Sequence, residues 1–264
     1  VAADAACRAV ASLMLEKTQA SAVSVENATA VGDALNKACS GASVVANEVP
    51  ALAAAIASKV VARQATVLGM SPSDVGTVAA AAATGAGLSG AAAVSSGAAS
   101  ASKAVAKVLA DSGARPAAVG AAAKAAAAGA GVEDTSEASD VAASAASVAV
   151  AEQQVAMGAA LNSTGRLVRE AAKAAGVSED ESVALALSAG IATIAQRATL
   201  DGISDETLED EIAALTVGVV VRPLWINVSF RVPFLPEVHV ASSTKLRREL
   251  CRPMLVLQSI GSCK

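Results

Sequence analysis

The sequence has very few aromatic residues. It contains one Trp, two Phe and no Tyr among 264 residues, and aromatics make up 1% of the chain. The 54% of residues that are hydrophobic are therefore mainly Ala and Val. At about 25 cal/mol per Å² of buried apolar surface, each buried Ala contributes little. Such a chain depends on high helix propensity and on closely packed helices, because Ala has the best propensity and a short side chain.

Histidine is almost missing as well, since His239 is the only one. Nucleophilic catalysis needs a base beside Ser or Cys, and no G-x-S-x-G motif occurs. A net charge of −4 and a pI near 5.1 also disfavour nucleic acid as the main partner, which would require a basic face. The sequence therefore predicts neither catalytic residues nor nucleic-acid binding, and an enzyme is the least favoured function class.

The four cysteines lack C-x-x-C spacing, which disfavours a zinc site or a thioredoxin-like pair. They stand at positions 7, 39, 251 and 263. We expect buried free thiols, with a disulfide left open if Cys7 or Cys39 approaches the C-terminal segment.

Two acidic clusters stand where the sequence predicts helix starts. Acids at a helix N-terminus interact favourably with the helix dipole, whereas a calcium loop would need alternating ligands and a glycine at the bend. We therefore predict no metal site at either cluster. The clusters are Glu133, Asp134, Glu137 and Asp140, and Asp205, Glu206, Glu209, Asp210 and Glu211.

An internal repeat is the strongest pattern in the sequence. Residues 59–87 shifted forward by 44 positions align with residues 103–131 without a gap, and the matches include Gly and Pro positions. A unit of this length fits two helices and a turn. Because only two copies match well, we favour a bundle over a solenoid. The matched pairs are Lys59/Lys103, Arg63/Lys107, Gly69/Gly113, Pro72/Pro116, Val75/Val119, Gly76/Gly120, Gly85/Gly129 and Gly87/Gly131.

The stretch GMSPSD at residues 69–74 predicts a turn between two helices. A glycine ends the first helix in the left-handed conformation, the apolar residue after it packs back, Ser caps the next helix, and Pro or an acid follows in its first turn. The same order recurs at GVSE and GISD. The turn residues are Gly69, Ser71, Pro72, Gly113, Pro116, Gly176, Ser178, Gly202 and Ser204.

The stretch GAGLSG at residues 85–90 has the letters of a dinucleotide-binding fingerprint. That fingerprint requires a strand before it, whereas TVAAAAAT is a helix former. The repeat copy reads GAGVED and places Asp134 where the third glycine would stand. We therefore interpret Gly85, Gly87 and Gly90 as helix ends and predict no cofactor.

The predicted fold is all-α: an Ala-rich antiparallel helical bundle or a short helical-hairpin array over residues 1–216, followed by an irregular, extended C-terminal arm over 217–264. Residues 217–221 read as a strand or buried turn. The apolar stretch at 79–101 lacks the Leu, Ile and Phe of a membrane span, so we predict no transmembrane segment. The predicted helices are 2–20, 22–40, 44–67, 72–84, 89–111, 116–128, 134–162, 165–175, 179–199 and 205–216.

The C-terminal segment differs from the rest in charge and in residue types. Residues 217–264 carry seven basic and two acidic side chains, whereas residues 1–216 carry 13 and 22. Trp225, Phe230 and Phe234 all lie here, and four of the seven prolines prevent a helix. Three interpretations stay open: an arm that binds a partner, a locally packed strap, and a stretch foreign to the evolved fold. The first is favoured, with Arg247 and Arg248 as further contacts for an acidic partner or an anionic membrane surface.

A second basic stripe, formed by Arg166, Arg169 and Lys173, reads as a solvated helix face. The Ala, Gly and Ser surfaces are wider than one neighbouring helix needs, and small residues let helices approach closely. We therefore predict a non-catalytic linker or scaffold subunit of a larger protein complex. One concrete setting is a light-harvesting or photosystem complex in a plastid, reached after removal of a targeting segment. The alternative is a helical carrier of an apolar ligand such as a lipid or pigment.

Overall fold

The computed structural model describes residues 23–41, 48–201 and 205–220. These residues form α-helices and turns without a strand, which confirms the all-α prediction for this part of the chain. The predicted helix at 2–20 and residues 221–264 lie outside the described residues. The helices are α1 (Val25–Gly41), α2 (Val49–Val67), α3 (Pro72–Gly85), α4 (Gly90–Asp111), α5 (Pro116–Gly129), α6 (Thr135–Ala156), α7 (Leu161–Ala175), α8 (Glu179–Asp201) and α9 (Asp205–Val220).

The described helices pack in a regular order along the chain. Each one contacts the helices one and two places away in sequence, and none of the described helices contacts a more distant one. The odd-numbered helices α1, α3, α5, α7 and α9 therefore form one row, and the even-numbered helices α2, α4, α6 and α8 form a second row against it. Nearly all of the buried side chains between them are Ala and Val.

The turn between α2 and α3 has the conformation that GMSPSD indicates. Gly69 has φ +75°, and the amide of Met70 donates to the carbonyl of Ala65 at 3.1 Å, which closes the C-terminus of α2. Ser71 then caps α3 by accepting from the amide of Asp74 at 3.2 Å, with Pro72 as the first helical residue.

The turn before α8 adds a reciprocal cap that the sequence pattern did not include. The Ser178 hydroxyl accepts from the amide of Glu181 at 3.3 Å, and the Glu181 carboxylate accepts from the amide of Ser178 at 2.9 Å. The Ser178 hydroxyl also donates to the Glu181 carboxylate at 2.7 Å, and this bond, with the one from the Ser178 amide, holds the pKa of Glu181 below its usual value. The cap therefore stabilises the fold above that usual value, and its contribution is lost as the pH falls. Gly202 and Ser204, of the related turn before α9, lie outside the described residues.

Two predicted boundaries were wrong. The helix predicted at 134–162 ends at Ala156, because Gly158 takes a left-handed φ of +69° and the amide of Ala159 donates to Gln154 at 3.0 Å. The turn motif is incomplete here, because Ala160 and Leu161 stand where the motif has Ser and then Pro or an acid. Residues 217–220, expected to be a strand or buried turn, continue α9, and Val219 is buried there.

Glycines bring the odd-numbered helices into backbone contact. A Cβ atom on Gly76 of α3 would overlap the carbonyl oxygen of Ala126 in α5, and one on Gly129 of α5 would overlap the carbonyl oxygen of Ser73 in α3. The same reciprocal contact joins α1 to α3 through Gly32 and Gly85, and α7 to α9 through Gly165 and Gly218. The interpretation of Gly85 as only a helix end was therefore incomplete, because Gly85 is also a packing residue.

Buried serines connect the two rows with spacing equal to the repeat. The Ser58 hydroxyl donates to the carbonyl of Ala79 at 3.0 Å, joining α2 to α3, and the Ser102 hydroxyl donates to Ala123 at 2.9 Å, joining α4 to α5. Ser147 of α6 is also buried, but its hydroxyl has no hydrogen-bond partner among the described residues. Removing the hydroxyl is therefore expected to lower stability at Ser58 and Ser102, where it forms a hydrogen bond, and to raise stability at Ser147.

Substituting Ser147→Ala should raise the free energy of unfolding by about 1 kcal/mol, because it removes an unsatisfied buried polar group. The matched variant Ser102→Ala should lower it by about 1 kcal/mol, since it deletes a formed hydrogen bond. Urea denaturation followed by circular dichroism measures both values. A loss of stability in Ser147→Ala equal to that in Ser102→Ala would show that the Ser147 hydroxyl is satisfied in solution.

The expectation of free thiols was wrong for Cys39. Cys39 is fully buried in α1 and is disulfide-bonded. Spacing along the sequence could not reveal this, because a disulfide depends on which distant residues approach each other within a few ångströms. The other three cysteines lie outside the described residues.

Candidate functional site

A groove of about 550 Å³ runs across the outer surface of three even-numbered helices, α2, α4 and α6. Its lining combines small apolar residues with six charged ones. The residues are Ala55, Lys59, Arg63 and Val67 of α2, Ala99, Ser100, Lys103, Ala104, Lys107, Val108 and Asp111 of α4, and Ala145, Val148, Ala149 and Glu152 of α6. The short side chains leave this hollow because Ala fills little space between the helices.

Four cations line the groove, and the 44-residue repeat positions them. Lys59 and Arg63 are four residues apart on α2, and Lys103 and Lys107 occupy the same places on α4. Residues four apart lie on one helix face, so both pairs point to the same side. The cationic pattern ends at α6, where Ser147 is the buried equivalent of Ser102 and the groove is lined instead by Val148 and Glu152.

The acids of the groove lie close to one of the cations. The Lys107 Nζ is 2.7 Å from the Asp111 carboxylate and 3.8 Å from the Glu152 carboxylate. Lys59, Arg63 and Lys103 are exposed and have no acidic partner within 4 Å among the described residues. The groove thus has an excess of positive charge in a chain whose net charge is −4.

The α4 and α6 sides of the groove run in the same direction. Near the start of both helices the Ser95 hydroxyl lies 3.4 Å from the Glu137 carboxylate, and near their ends Lys107 meets Glu152. This parallel arrangement keeps repeat-related residues side by side. It therefore makes a continuous surface from residues that lie 42 to 45 positions apart in sequence.

Asp140 lies on a second hollow that shares Lys103 with the groove. Burial and the nearby carboxylates of Glu181 and Asp134 raise the pKa of Asp140 above its usual value. Lys103 forms no ion pair with Asp140 within 4 Å, although both line this hollow. The lysine is consequently available to an external anion.

The basic stripe at Arg166, Arg169 and Lys173 is not a simple solvated face. The Arg169 guanidinium lies 2.8 Å from the Glu179 carboxylate and donates to the carbonyl of Val219 at 2.6 Å. Its side chain is only 14% exposed. Lys173 also reaches Glu179, at 2.5 Å. Arg169 and Lys173 therefore stabilise the packing of α7 on α8, and Arg169 also joins α7 to the end of α9. Of the three residues, only Arg166 is exposed without an ion pair to a described residue.

The residues predicted to bind a partner belong to the C-terminal arm. Trp225, Phe230, Phe234, Arg247 and Arg248 all lie outside the described residues. The sequence signal for the groove lies in the repeat, because Lys59, Arg63, Lys103 and Lys107 are four of its matched positions.

The GAGLSG stretch and the first acidic cluster both lie at helix ends. GAGLSG joins α3 to α4, so a helix stands where a dinucleotide fingerprint needs a strand. The first acidic cluster lies around the start of α6, where Asp134 caps the helix by accepting from the Ser136 amide at 2.7 Å. In the part of the chain that the structure describes, no group of three or more His, Cys, Asp or Glu residues could hold a metal ion.

By length and composition alone, one helix in the described ranges, α8, could cross a membrane. It packs on α6, α7 and α9, and Ala186, Gly190 and Ile194 are buried in these contacts. Only 28% of the apolar window of α8 is buried among the described residues. Comparisons of the chain with protein-family models, with curated proteins and with solved structures gave no match.

Proposed function

We propose that this chain is a non-catalytic scaffold or linker subunit that binds a larger protein assembly. The observation that carries the proposal is the packing order, in which each described helix contacts only its near neighbours in sequence. In such arrangements the outer faces of the rows stay available along the whole length, as in repeat proteins that bind partners. In the proposed architecture the domain is a helical-hairpin array and not a closed bundle.

Backbone contact between the odd-numbered helices supports a scaffolding role. Reciprocal glycine contacts fix α1 on α3, α3 on α5 and α7 on α9 at short distance, which leaves little freedom for sliding. A rigid strip holds its binding faces at a fixed spacing. The proposed partner-binding residues are those of the even-numbered row together with the C-terminal arm, of which Trp225, Phe230 and Phe234 are the aromatic anchors.

The proposal is tested on the native protein. Size-exclusion chromatography of an extract from the source, prepared under native conditions, should place the chain in a particle much larger than its 25.6 kDa mass. Cross-linking and mass spectrometry should then identify partners in contact with it. Migration as a lone chain, with cross-links only within itself, would contradict a scaffold function. A partner that contains membrane helices would support the photosynthetic setting in particular.

Substitution of the arm's aromatics separates its role from that of the helical domain. A variant with Trp225→Ser, Phe230→Ser and Phe234→Ser should lose association with the assembly while it keeps the helical circular dichroism of the wild type. The matched control is Val25→Ser, which changes an apolar side chain that is 45% exposed on α1, outside the even-numbered row. Equal association of the triple variant and the control would contradict the role of the arm.

A carrier of an apolar ligand is the second candidate, and the groove volume favours it. About 550 Å³ falls within the usual range of small-molecule pockets. Val67, Val108 and Val148 supply apolar surface there. A carrier should retain its ligand on native purification, so absorbance and native mass spectrometry of the isolated chain distinguish the two functions.

A further inference from the structure

We propose that the groove across α2, α4 and α6 binds an acidic helix of a partner protein. The proposal rests on the scaffold function and specifies which surface is used and what chemistry the partner presents. Its basis is the placement of Lys59, Arg63 and Lys103 around an apolar floor, with no acid within 4 Å of them among the described residues. The site thus provides a partner with apolar surface to pack against and with positive charge.

The spacing of the cations fits carboxylates on a helix. Lys59 and Arg63 are four residues apart, and so are Lys103 and Lys107. Acids four apart on a partner helix lie on one face and repeat at the same interval along its axis. One face of an acidic helix can therefore meet both cations of a pair, while its small apolar residues contact the floor.

The two cation pairs destabilise the helices that contain them. Like charges four residues apart destabilise a helix, and both α2 and α4 contain such a pair. On α4 the Asp111 carboxylate offsets this for Lys107, but no described acid lies within 4 Å of Lys59 or Arg63. An anionic ligand would remove the repulsion, so these cations are better explained by binding than by folding.

Charge complementarity also selects among occupants. Residues 217–264 of the chain carry seven basic and two acidic side chains, and so lack the charge that this groove would attract. An apolar lipid would leave the three cations without partners at the mouth of the groove, and charged groups lose free energy when water is displaced without replacement. An acidic helix can pack apolar residues on the floor of the groove and place carboxylates beside the cations.

The test compares the full chain with two charge-reducing variants. The probe is an alanine-based helical peptide with Glu at every fourth position, and its Gln counterpart is the peptide control. The groove variant is Lys59→Gln with Lys103→Gln. The matched variant is Arg115→Gln with Arg166→Gln, which removes two exposed cations outside the groove. Fluorescence anisotropy measures binding at low and high salt.

We expect the Glu peptide to bind the wild type and to lose about fivefold or more in affinity at the groove variant, with less than about a twofold loss at the matched variant. High salt should weaken binding. Equal losses at both variants, or equal binding of the Glu and Gln peptides, would overturn the proposal. Stronger binding to phosphatidylserine–phosphatidylcholine vesicles than to the peptide would also overturn it and would identify a membrane surface instead.

The same variants distinguish this inference from the scaffold function. If wild type migrates alone in native extracts, the scaffold function fails whatever the peptide does. If wild type and the groove variant both enter the assembly equally, the scaffold function stands and the groove is not its binding surface. Circular dichroism should show the groove variant as helical and at least as stable as wild type, because two like-charge pairs have been removed.

Discussion

Substituting Gly76→Ala should lower the free energy of unfolding by about 3 kcal/mol, although Ala is intrinsically the better helix former by about 1 kcal/mol. The added Cβ would overlap the carbonyl oxygen of Ala126 and lie 2.5 Å from the amide nitrogen of Ala130. Both atoms belong to the backbone around the end of α5, so no side chain can rotate away. The helices must separate, and the reciprocal contact at Gly129 is then lost too.

The control for Gly76→Ala is Gly41→Ala. Gly41 is the last residue of α1, and a Cβ there would meet nothing within 4 Å. Its stability should stay unchanged or rise by up to about 1 kcal/mol. Chemical denaturation of both variants measures the difference. An equal or greater stability of Gly76→Ala compared with wild type would show that α3 and α5 are not in backbone contact.

Substituting Arg169→Ala should lower the free energy of unfolding by about 2 kcal/mol, as expected for charge-assisted hydrogen bonds in a site with little solvent access. Arg169 joins three helices: it extends from α7 to the Glu179 carboxylate of α8 and to the Val219 carbonyl near the end of α9. Loss of the second bond leaves a carbonyl of the last helical turn without this donor. We expect α9 to be the first element to lose protection in hydrogen exchange.

Arg166→Ala is the matched control, because Arg166 lies on the same helix but is exposed and forms no ion pair with a described residue. Its effect should remain within about 0.5 kcal/mol. A cycle of Arg169→Ala with Glu179→Gln measures the coupling between the two side chains directly. Similar effects of Arg169→Ala and Arg166→Ala would show that the stripe is a solvated face, as the sequence pattern indicated.

Helix positions could be predicted because their signals are local. Gly69 ends α2, and Ser71 and Pro72 start α3, through hydrogen bonds between residues within a few positions of each other. The boundary at Gly158 was predicted wrongly, because the glycine that ends α6 is present but the Ser and Pro that would mark the start of the next helix are not. Where the turn residues are complete, propensity and capping suffice to place a helix end.

Contacts between distant residues left weaker signals. Arg169 looked like any exposed basic residue, because its partners Glu179 and Val219 are a further ten and fifty positions along the chain. The groove cations were visible as matches in the repeat, but their function as one surface depends on α2 and α4 lying side by side. A repeat shows that residues are equivalent and does not show which face they share.

The sequence by itself determined that the described chain is helical, where most of its helices begin and end, and that it repeats after 44 residues. Those features follow from propensity, capping and spacing, which act over a few residues. Only the tertiary structure decided that glycines join the odd-numbered helices and that four cations meet across the even-numbered ones. Both contacts depend on the distance and the register between helices. Small side chains are compatible with many packings, so the sequence specifies neither quantity strongly.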